Sequence, residues 1–446
     1  MVSGPLLLVI LIVSILFIIY MTAKVNLHAF LVLLLAAFGV GILSGMPLMD
    51  VIDAVTGGFG GILGYIGIVI IAGTIIGTIL EKSRATLTMA NTMLRLVGET
   101  KAALAMSLTG AVVSIPVFCD SGFVILSSLN KSLAKKTKIS MSTMAVALSA
   151  GLYATHTLVP PTPGPIAAAG NIGADLGLVI LFGVIVAIPT ILAGYFWATK
   201  FASRYWIEPE IDLVENENND DPNLPKTFDA FAPILIPIIL ITLKSIADFP
   251  GEIFGSGWFK TFLDFIGDPT VALILGIFIA FRLIPSWDKE YINGWVGKGL
   301  INAAAIIMIT GAGGAFGSIL KATPIGDYLG QTLSNYNIGI LLPFIIAAAL
   351  KTAQGSSTVA LVTTSALVAP MLPSLGLVSP VAKALVVMAI GAGAMTISHA
   401  NDSYFWVVSR FSNLDTEIAY KTHSMATLIQ GIVAIIFVTI LAAIFI

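Results

Sequence analysis

Residues 113–175 read VSIPVFCDSGFVILSSLNKSLAKKTKISMSTMAVALSAGLYATHTLVPPTPGPIAAAGNIGAD. Two apolar segments in this stretch are interrupted by polar, glycine- and proline-rich residues. The first interruption is Cys119-Asp120-Ser121-Gly122; the second is Thr155-His156-Thr157 running into Pro160-Pro161-Thr162-Pro163-Gly164-Pro165. A carboxylate, an imidazole and broken backbone are costly in hydrocarbon and persist only where protein or a watery cavity surrounds them. The stretch therefore marks the working site of a membrane protein.

Composition supports that class. Of 446 residues, 57% are hydrophobic and 10% charged, with a mean hydropathy of +0.99; soluble domains carry roughly a quarter charged residues. Uncharged runs of about 20 residues, the length that spans a bilayer core, recur throughout. The net charge of −2 comes with no basic stripe interleaved with aromatics, so no nucleic-acid partner is expected. A single cysteine, Cys119, excludes an intrachain disulfide framework. Residues 1–20 lack a basic leading region and a small-residue cleavage pattern, which favours a first transmembrane helix over a signal peptide.

Spans are expected at 5–23, 26–45 and 52–80, then a cationic amphipathic surface segment around 82–101. Residues 102–137 are expected to form a re-entrant hairpin tipped at 119–122, because lysines flank both ends: Lys101 before it, and Lys131, Lys135, Lys136 and Lys138 after it. A broken span at 140–174 and an intact one at 177–200 complete a first unit, residues 1–204. An acidic linker follows at 205–228, with seven acidic residues against one lysine. Residues 229–446 replay the programme, with spans near 230–247, 268–285 and 297–320. A hairpin is expected at 338–372, tipped by Thr352-Ala353-Gln354-Gly355-Ser356-Ser357-Thr358. A broken span at 380–411 follows, interrupted at Ser398-His399-Ala400-Asn401-Asp402-Ser403, and then a last span at 420–446.

The two units also match in residues. Gly73-Thr-Ile-Ile-Gly77-Thr-Ile-Leu80 lies 240 positions before Gly313-Gly-Ala-Phe-Gly317-Ser-Ile-Leu320, and Thr155-His156 lies 243 positions before Ser398-His399. Five crossings per unit is an odd number, so the second unit must start from the opposite face. The expected fold is thus an all-α polytopic membrane protein of two inverted repeats, each with five spans, one of them broken, and one re-entrant hairpin. Broken helices at corresponding places in inverted repeats are a signature of secondary transporters, with the site at the bilayer midplane. With the N-terminus outside, 17 of the 22 lysines and arginines fall on the cytoplasmic side. Both termini are then outside and the acidic linker is cytoplasmic.

Several residues in the breaks can carry chemistry. Asp120 can take up and release a proton; the alternative is a cap on the second hairpin limb, where a carboxylate meets the positive end of the helix dipole. Asp402, beside Asn401, holds the corresponding place in the second unit. His156 and His399 are related by the repeat, whereas His28 and His423 lie near span ends and suggest no role. Lys351, about one turn before the second tip, suits an anionic substrate or pairs with Asp402. Gly355, Ser356, Ser357 and Thr358 offer backbone N–H groups and hydroxyls at a half-helix N-terminus, suited to a carboxylate. The prolines of 160–165 are expected to hold an unwound segment. Ser121, Gly122, Thr155 and Thr162 complete the expected substrate wall, in which large aromatics are nearly absent. Metal-ligand spacings, a phosphate-binding loop and catalytic motifs are missing, so no cofactor is expected and an ion gradient must supply the drive. An intramembrane enzyme and a passive anion channel are the weaker alternatives.

Together, Phe118-Cys-Asp-Ser-Gly-Phe-Val-Ile-Leu126, Thr155-His156 with Val159-Pro-Pro-Thr-Pro-Gly-Pro165, Ala174-Asp175, Gln354-Gly-Ser-Ser-Thr-Val-Ala360 and Ser398-His-Ala-Asn-Asp-Ser403 with Phe405-Trp406 resemble the gluconate permease family across essentially the whole chain. The resemblance implies a proton symporter of gluconate or a related sugar acid in a bacterial plasma membrane, as a homodimer with a moving transport domain. Carriers of glycerate, D-serine and other small hydroxy acids also fall within it. Thr162 departs from the family's pattern, standing where many relatives carry histidine.

Overall fold

The structure, a computed structural model, describes residues 2, 4–98, 101–209, 224–247, 257–324, 328 and 339–446, and among these every regular element is helical. The chain begins with α1 (Pro5–Ala23), α2 (Ala29–Leu43), α3 (Leu48–Lys82) and a short α4 (Ala85–Val97). Two broken pairs follow, α5 (Ala102–Val113) with α6 (Cys119–Thr137), and α7 (Met141–Leu158) with α8 (Pro163–Ile172). Next come α9 (Leu176–Lys200), α10 (Thr227–Ala247), α11 (Trp258–Ile266), α12 (Pro269–Ala280) and α13 (Lys289–Ala322). Two more broken pairs, α14 (Leu341–Gln354) with α15 (Ser357–Val368) and α16 (Pro380–Ala394) with α17 (Ser403–Phe411), lead to α18 (Thr416–Phe445), which carries a π-helical turn at Tyr420–Ser424.

Caps and prolines set the helix starts. Asp175 accepts from the Leu178 amide at 2.8 Å and opens α9, while the Ser245 hydroxyl of α10 donates to the same carboxylate oxygen at 2.6 Å. Asp268 and Ser379 cap α12 and α16, each followed by a proline whose missing N–H costs the first helical turn nothing. The core centres on α7, buried from end to end and packed against α5, α6, α8 and α9. The long helices α3 and α13 pack extensively against each other. Leu6, Val9, Ile12, Val13 and Leu16 of α1 are exposed, an apolar face that suits hydrocarbon. Six helices among the described residues are long and apolar enough to cross a membrane, or seven counting α11 with α12, bent by 64°. The protein is a multi-pass membrane protein.

The two first-half breaks fall where backbone chemistry puts them, not where polar side chains sit, whereas the two second-half breaks overlap the expected polar tips. The first lies at 114–118, because Pro116 has no N–H to donate and disfavours helical Ile115. The expected tip at 119–122 is instead the first turn of α6. Likewise Thr155 and His156 are helical, in the last turn of α7, and the second break is confined to 159–162. Pro163 is the first residue of α8, so the proline run ends one element and starts the next. Helix α11 was not expected, because Lys260 and Asp264 interrupt the apolar run. In the structure they pair across one turn at 2.9 Å, while Trp258, Phe259, Phe262 and Phe265 stay exposed, the composition of an interfacial helix. Helices α3 and α13 run longer than the expected spans at 52–80 and 297–320, and α2 is shorter than 26–45. Of the expected linker, 210–223 lies outside the described residues, as does residue 338 at the start of the second hairpin.

The repeated glycines of α3 serve the breaks. A Cβ on Gly77 would sit 2.0 Å from the Pro116 carbonyl oxygen, and one on Gly73 would sit 2.9 Å from that of Pro161. Helix α3 therefore lies directly on the backbone of both first-half breaks, and backbone cannot swing aside. Gly77→Ala should lower stability by about 1–3 kcal/mol through overpacking, whereas Gly57→Ala, with nothing within 4 Å of the new methyl, should leave it unchanged. Melting of the detergent-solubilised variants checks this; a Gly77→Ala protein that melts with wild type would show that the contact is not a constraint.

Candidate functional site

All four broken pairs contribute to one cavity of about 270 Å³. Phe118, Cys119 and Asp120 come from the start of α6, and Tyr153 and His156 from the end of α7. Residues 354–358 come from the α14/α15 break, and Asn401, Asp402, Ser403 and Tyr404 from the start of α17. Its size lies near the lower end of small-ligand pockets, roughly 300–1,000 Å³. Three wall atoms have no partner in hydrogen-bonding geometry within the protein: Asp120 Oδ1, Tyr153 Oη and His156 Nδ1. Ser403 lies beside Asp120, and Ser357 beside Tyr153. Buried polar atoms are rarely left unpaired, and an occupant of this cavity can supply what they lack.

The α14/α15 break is built by its own residues. Gln354 folds back on Ser356, accepting from its amide at 3.0 Å and donating to its carbonyl at 2.6 Å. Ser356 then caps α15 by accepting from Val359 N at 3.3 Å. Gly355 has φ +88°, and a Cβ there would meet the Asn401 carbonyl oxygen at 2.1 Å, so only glycine lets the two breaks of the second half touch.

Behind this wall lies Lys351, with no exposed surface, its ammonium 2.7 Å from Asp402 Oδ2 and donating also to the Gly355 carbonyl. Its Nζ sits 5.9 Å from the centroid of the Tyr153 ring. Asp402 is fully engaged: Oδ2 also accepts from the Ser398 hydroxyl at 2.5 Å, and Oδ1 accepts from Tyr404 N at 3.0 Å, capping α17. In the structure Lys351 is paired with Asp402.

Asp120, His156, Gly355, Ser356, Ser357, Thr358, Asn401 and Asp402 meet around one cavity. Six other candidates do not line it. Thr155 bonds back to its own helix, at 3.3 Å to the Gly151 carbonyl. Thr162 donates to Val159 O at 2.7 Å. The face of Gly122 meets Leu152 and Val113. His399 Nε2 lies 2.8 Å from Thr352 O, and Lys351 stands behind the wall. Ser121 is half-buried on α6, away from the lining.

Sequence reasoning missed the aromatic wall. Tyr153 stacks on His156 with ring planes 10° apart and on Tyr404 at 5.1 Å between centroids, while Phe118 packs against His156. The available signal was spacing, since Tyr153 precedes His156 by three residues and so shares its helix face.

A sequence profile described as GntP family permease matches residues 6–444. The chain is 35% identical over 438 residues to a gluconate permease of Pseudomonas aeruginosa, covering 96% of each. It is 34% identical over 431 residues to the D-serine transporter DsdX of Escherichia coli K12, covering 95% of this chain and 96% of that one. Against the low-affinity gluconate transporter of the same strain it is 33% identical over 430 residues, 95% of each. Among solved structures its fold is similar to the YdaH transporter of Alcanivorax borkumensis, with a TM-score of 0.68 at 14% identity over 94% of this chain and 99% of that one. MtrF of Neisseria gonorrhoeae gives a TM-score of 0.67 at 14% identity over 95% and 96%. The profile and the relatives align almost from end to end, and the chain belongs to the GntP family of permeases.

Proposed function

We propose that this permease takes up gluconate or a related sugar acid across the bacterial inner membrane together with protons. In this reading the chain is two inverted repeats, residues 1–204 and 229–446, and α5/α6 and α14/α15 are re-entrant hairpins entering from opposite faces. Both termini lie outside, and the working unit is a homodimer in which the cavity-bearing bundle moves. No resident cofactor takes part. The observation that carries the reading is the buried Lys351–Asp402 pair behind a hydroxyl-rich cavity.

The pair suggests how a proton and an anion are coupled. Removing one partner of a buried ion pair leaves the other uncompensated, at about 3–5 kcal/mol. A proton on Asp402 does this to Lys351, and an incoming carboxylate restores the balance. Proton and anion together add no net charge to the bundle, so each favours binding of the other. The first turn of α15, where a helix N-terminus presents free N–H groups, adds a second anchor for the carboxylate. Substrate hydroxyls then meet Asp120 Oδ1, Tyr153 Oη, His156 Nδ1 and Asn401, and the Tyr153 and Tyr404 rings cover the C–H faces of the chain.

One observation favours a second reading. Asp120 Oδ1, unpartnered and lining the same small cavity as the first turn of α15, also suits the ammonium of a D-amino acid such as D-serine.

Competition against labelled gluconate uptake in vesicles separates the readings. Gluconate and other aldonates should compete far better than hexanoate, because a wall built for hydroxyls is left unpaired by an acid lacking them. D-Serine outcompeting gluconate would replace the sugar acid with an amino acid, and hexanoate matching gluconate would overturn both assignments.

A second experiment addresses coupling. Gluconate affinity should weaken as pH rises, by up to about tenfold per unit, the slope of one linked proton. In Asp402→Asn, which preserves the helix cap but not the charge, Lys351 is free at every pH. Affinity should then be flat with pH and accumulation should no longer follow a pH gradient. An Asp402→Asn variant with the wild-type slope would place the linked proton elsewhere, with Asp120 the next carboxylate to test.

A further inference from the structure

His423, two residues past the exposed Lys421 in the π-helical turn of α18, has no exposed surface. Its Nε2 lies 3.1 Å from the Ser398 hydroxyl, and that hydroxyl lies 2.5 Å from Asp402 Oδ2. On the other side of the ring, Nδ1 lies 2.9 Å from the Ser149 hydroxyl of α7. An unbroken line of hydrogen bonds therefore runs from the buried end of the cavity, through Ser398 and the imidazole, to Ser149.

The turn is built to hold this line. Ser424 donates to the Ser398 carbonyl at 2.5 Å, and the Ser398 amide donates to Thr427 Oγ1 at 2.9 Å. The Tyr420 hydroxyl accepts from Ala400 N at 3.4 Å. Widening one turn of α18 to π geometry aims Tyr420, His423 and Ser424 together at the α16/α17 break, and such turns are frequent at functional sites. The charged and titratable groups around the ring are few. Asp402 and Lys351 stand beyond Ser398, Tyr404 of α17 lies at 5.5 Å between ring centroids, and the Glu417–Lys421 pair on its own helix faces outward. From α7 the contact is the neutral Ser149.

We propose that Ser398 and His423 form a buried proton relay for Asp402, and that His423 takes the coupled proton as substrate leaves on the cytoplasmic side and gives it up on that side before the empty protein returns. This inference rests on the proton-coupled reading above. When the carboxylate of the substrate departs, the Asp402 Oδ2 proton moves to Ser398 Oγ as the Ser398 hydroxyl proton passes to His423 Nε2. Asp402 becomes a carboxylate, the neutral imidazole becomes imidazolium, and Ser398 ends as it began. Lys351 then regains its partner, and the imidazolium donates through Nδ1 to Ser149. Imidazole is suited to such a step because it accepts at one nitrogen and donates from the other.

The test uses the full-length protein in proteoliposomes loaded with a pH-sensitive dye, with gluconate as the probe. Proton influx on gluconate addition is measured beside gluconate–gluconate counterflow, which needs binding and movement but no net proton transfer. In His423→Gln and Ser398→Ala, proton influx should fall on the order of 100-fold, the lower end of what a positioned proton-transfer group contributes. Counterflow should persist in His423→Gln, whose side chain lies beyond Ser398 and off the cavity lining, whereas Ser398→Ala also strips a partner from Asp402 and should lower counterflow as well. Ser398→Thr, which keeps the hydroxyl, should restore influx. Wild-type influx in both variants, or parallel loss of counterflow in His423→Gln, would overturn the relay and leave His423 a packing residue. Absence of gluconate-linked influx in the wild type itself would overturn the coupling reading, and the relay with it.

Discussion

One buried charge pair governs this molecule. Lys351 and Asp402 sit in a bundle where charged residues are otherwise sparse, and neither is tolerable there alone. Their demands shape the surroundings. Asp402 needs the Ser398 hydroxyl and the Tyr404 amide to fill its remaining lone pairs, so α16 must stop and α17 must start at this place. Lys351 needs the Gly355 carbonyl, so α14 must break one turn later. Two helix breaks and one ion pair are thus a single construction.

The breaks impose a second requirement, because interrupted helices leave backbone groups without intrahelical partners. Here small residues and side-chain hydroxyls answer it. Glycines on α3 lie on the carbonyls of Pro116 and Pro161, Gly355 admits the carbonyl of Asn401, and Ser424 and Thr427 take the backbone of Ser398. The scaffold helices are thereby fitted to the irregular backbone of the site. This also accounts for the glycine motif of α3, which in sequence looks like an ordinary helix-packing stripe.

The polar line from Asp402 to Ser149 shows how far the influence of the pair extends. Ser398 is shared between a carboxylate and an imidazole, so hydrogen bonds link Asp402 to α18 and α7. The cavity, with its unpartnered atoms, lies on one side of the pair and a saturated hydrogen-bond network on the other.

Much of this was legible in the sequence. Charge-free runs gave the class, polar interruptions of the apolar runs gave the four breaks, and Asp120, Asp402 and Gly355-Ser356-Ser357-Thr358 marked the candidate site, because polar residues have few reasons to lie at membrane depth. The limits of each break were less legible: helix ends depend on which N–H groups find partners, and Asp120 and His156 proved helical beside their breaks, not within them. Sequence left Lys351 between two roles, and only the folded chain brings it to Asp402, 51 residues away. It also passed over Tyr153, Tyr404 and His423, since an aromatic or a lone histidine in an apolar run looks like core. Local chemistry determines where a chain must break and which polar groups it carries inward. Which of those groups meet is a matter of helix phase and packing between distant segments, and only the tertiary structure decided it.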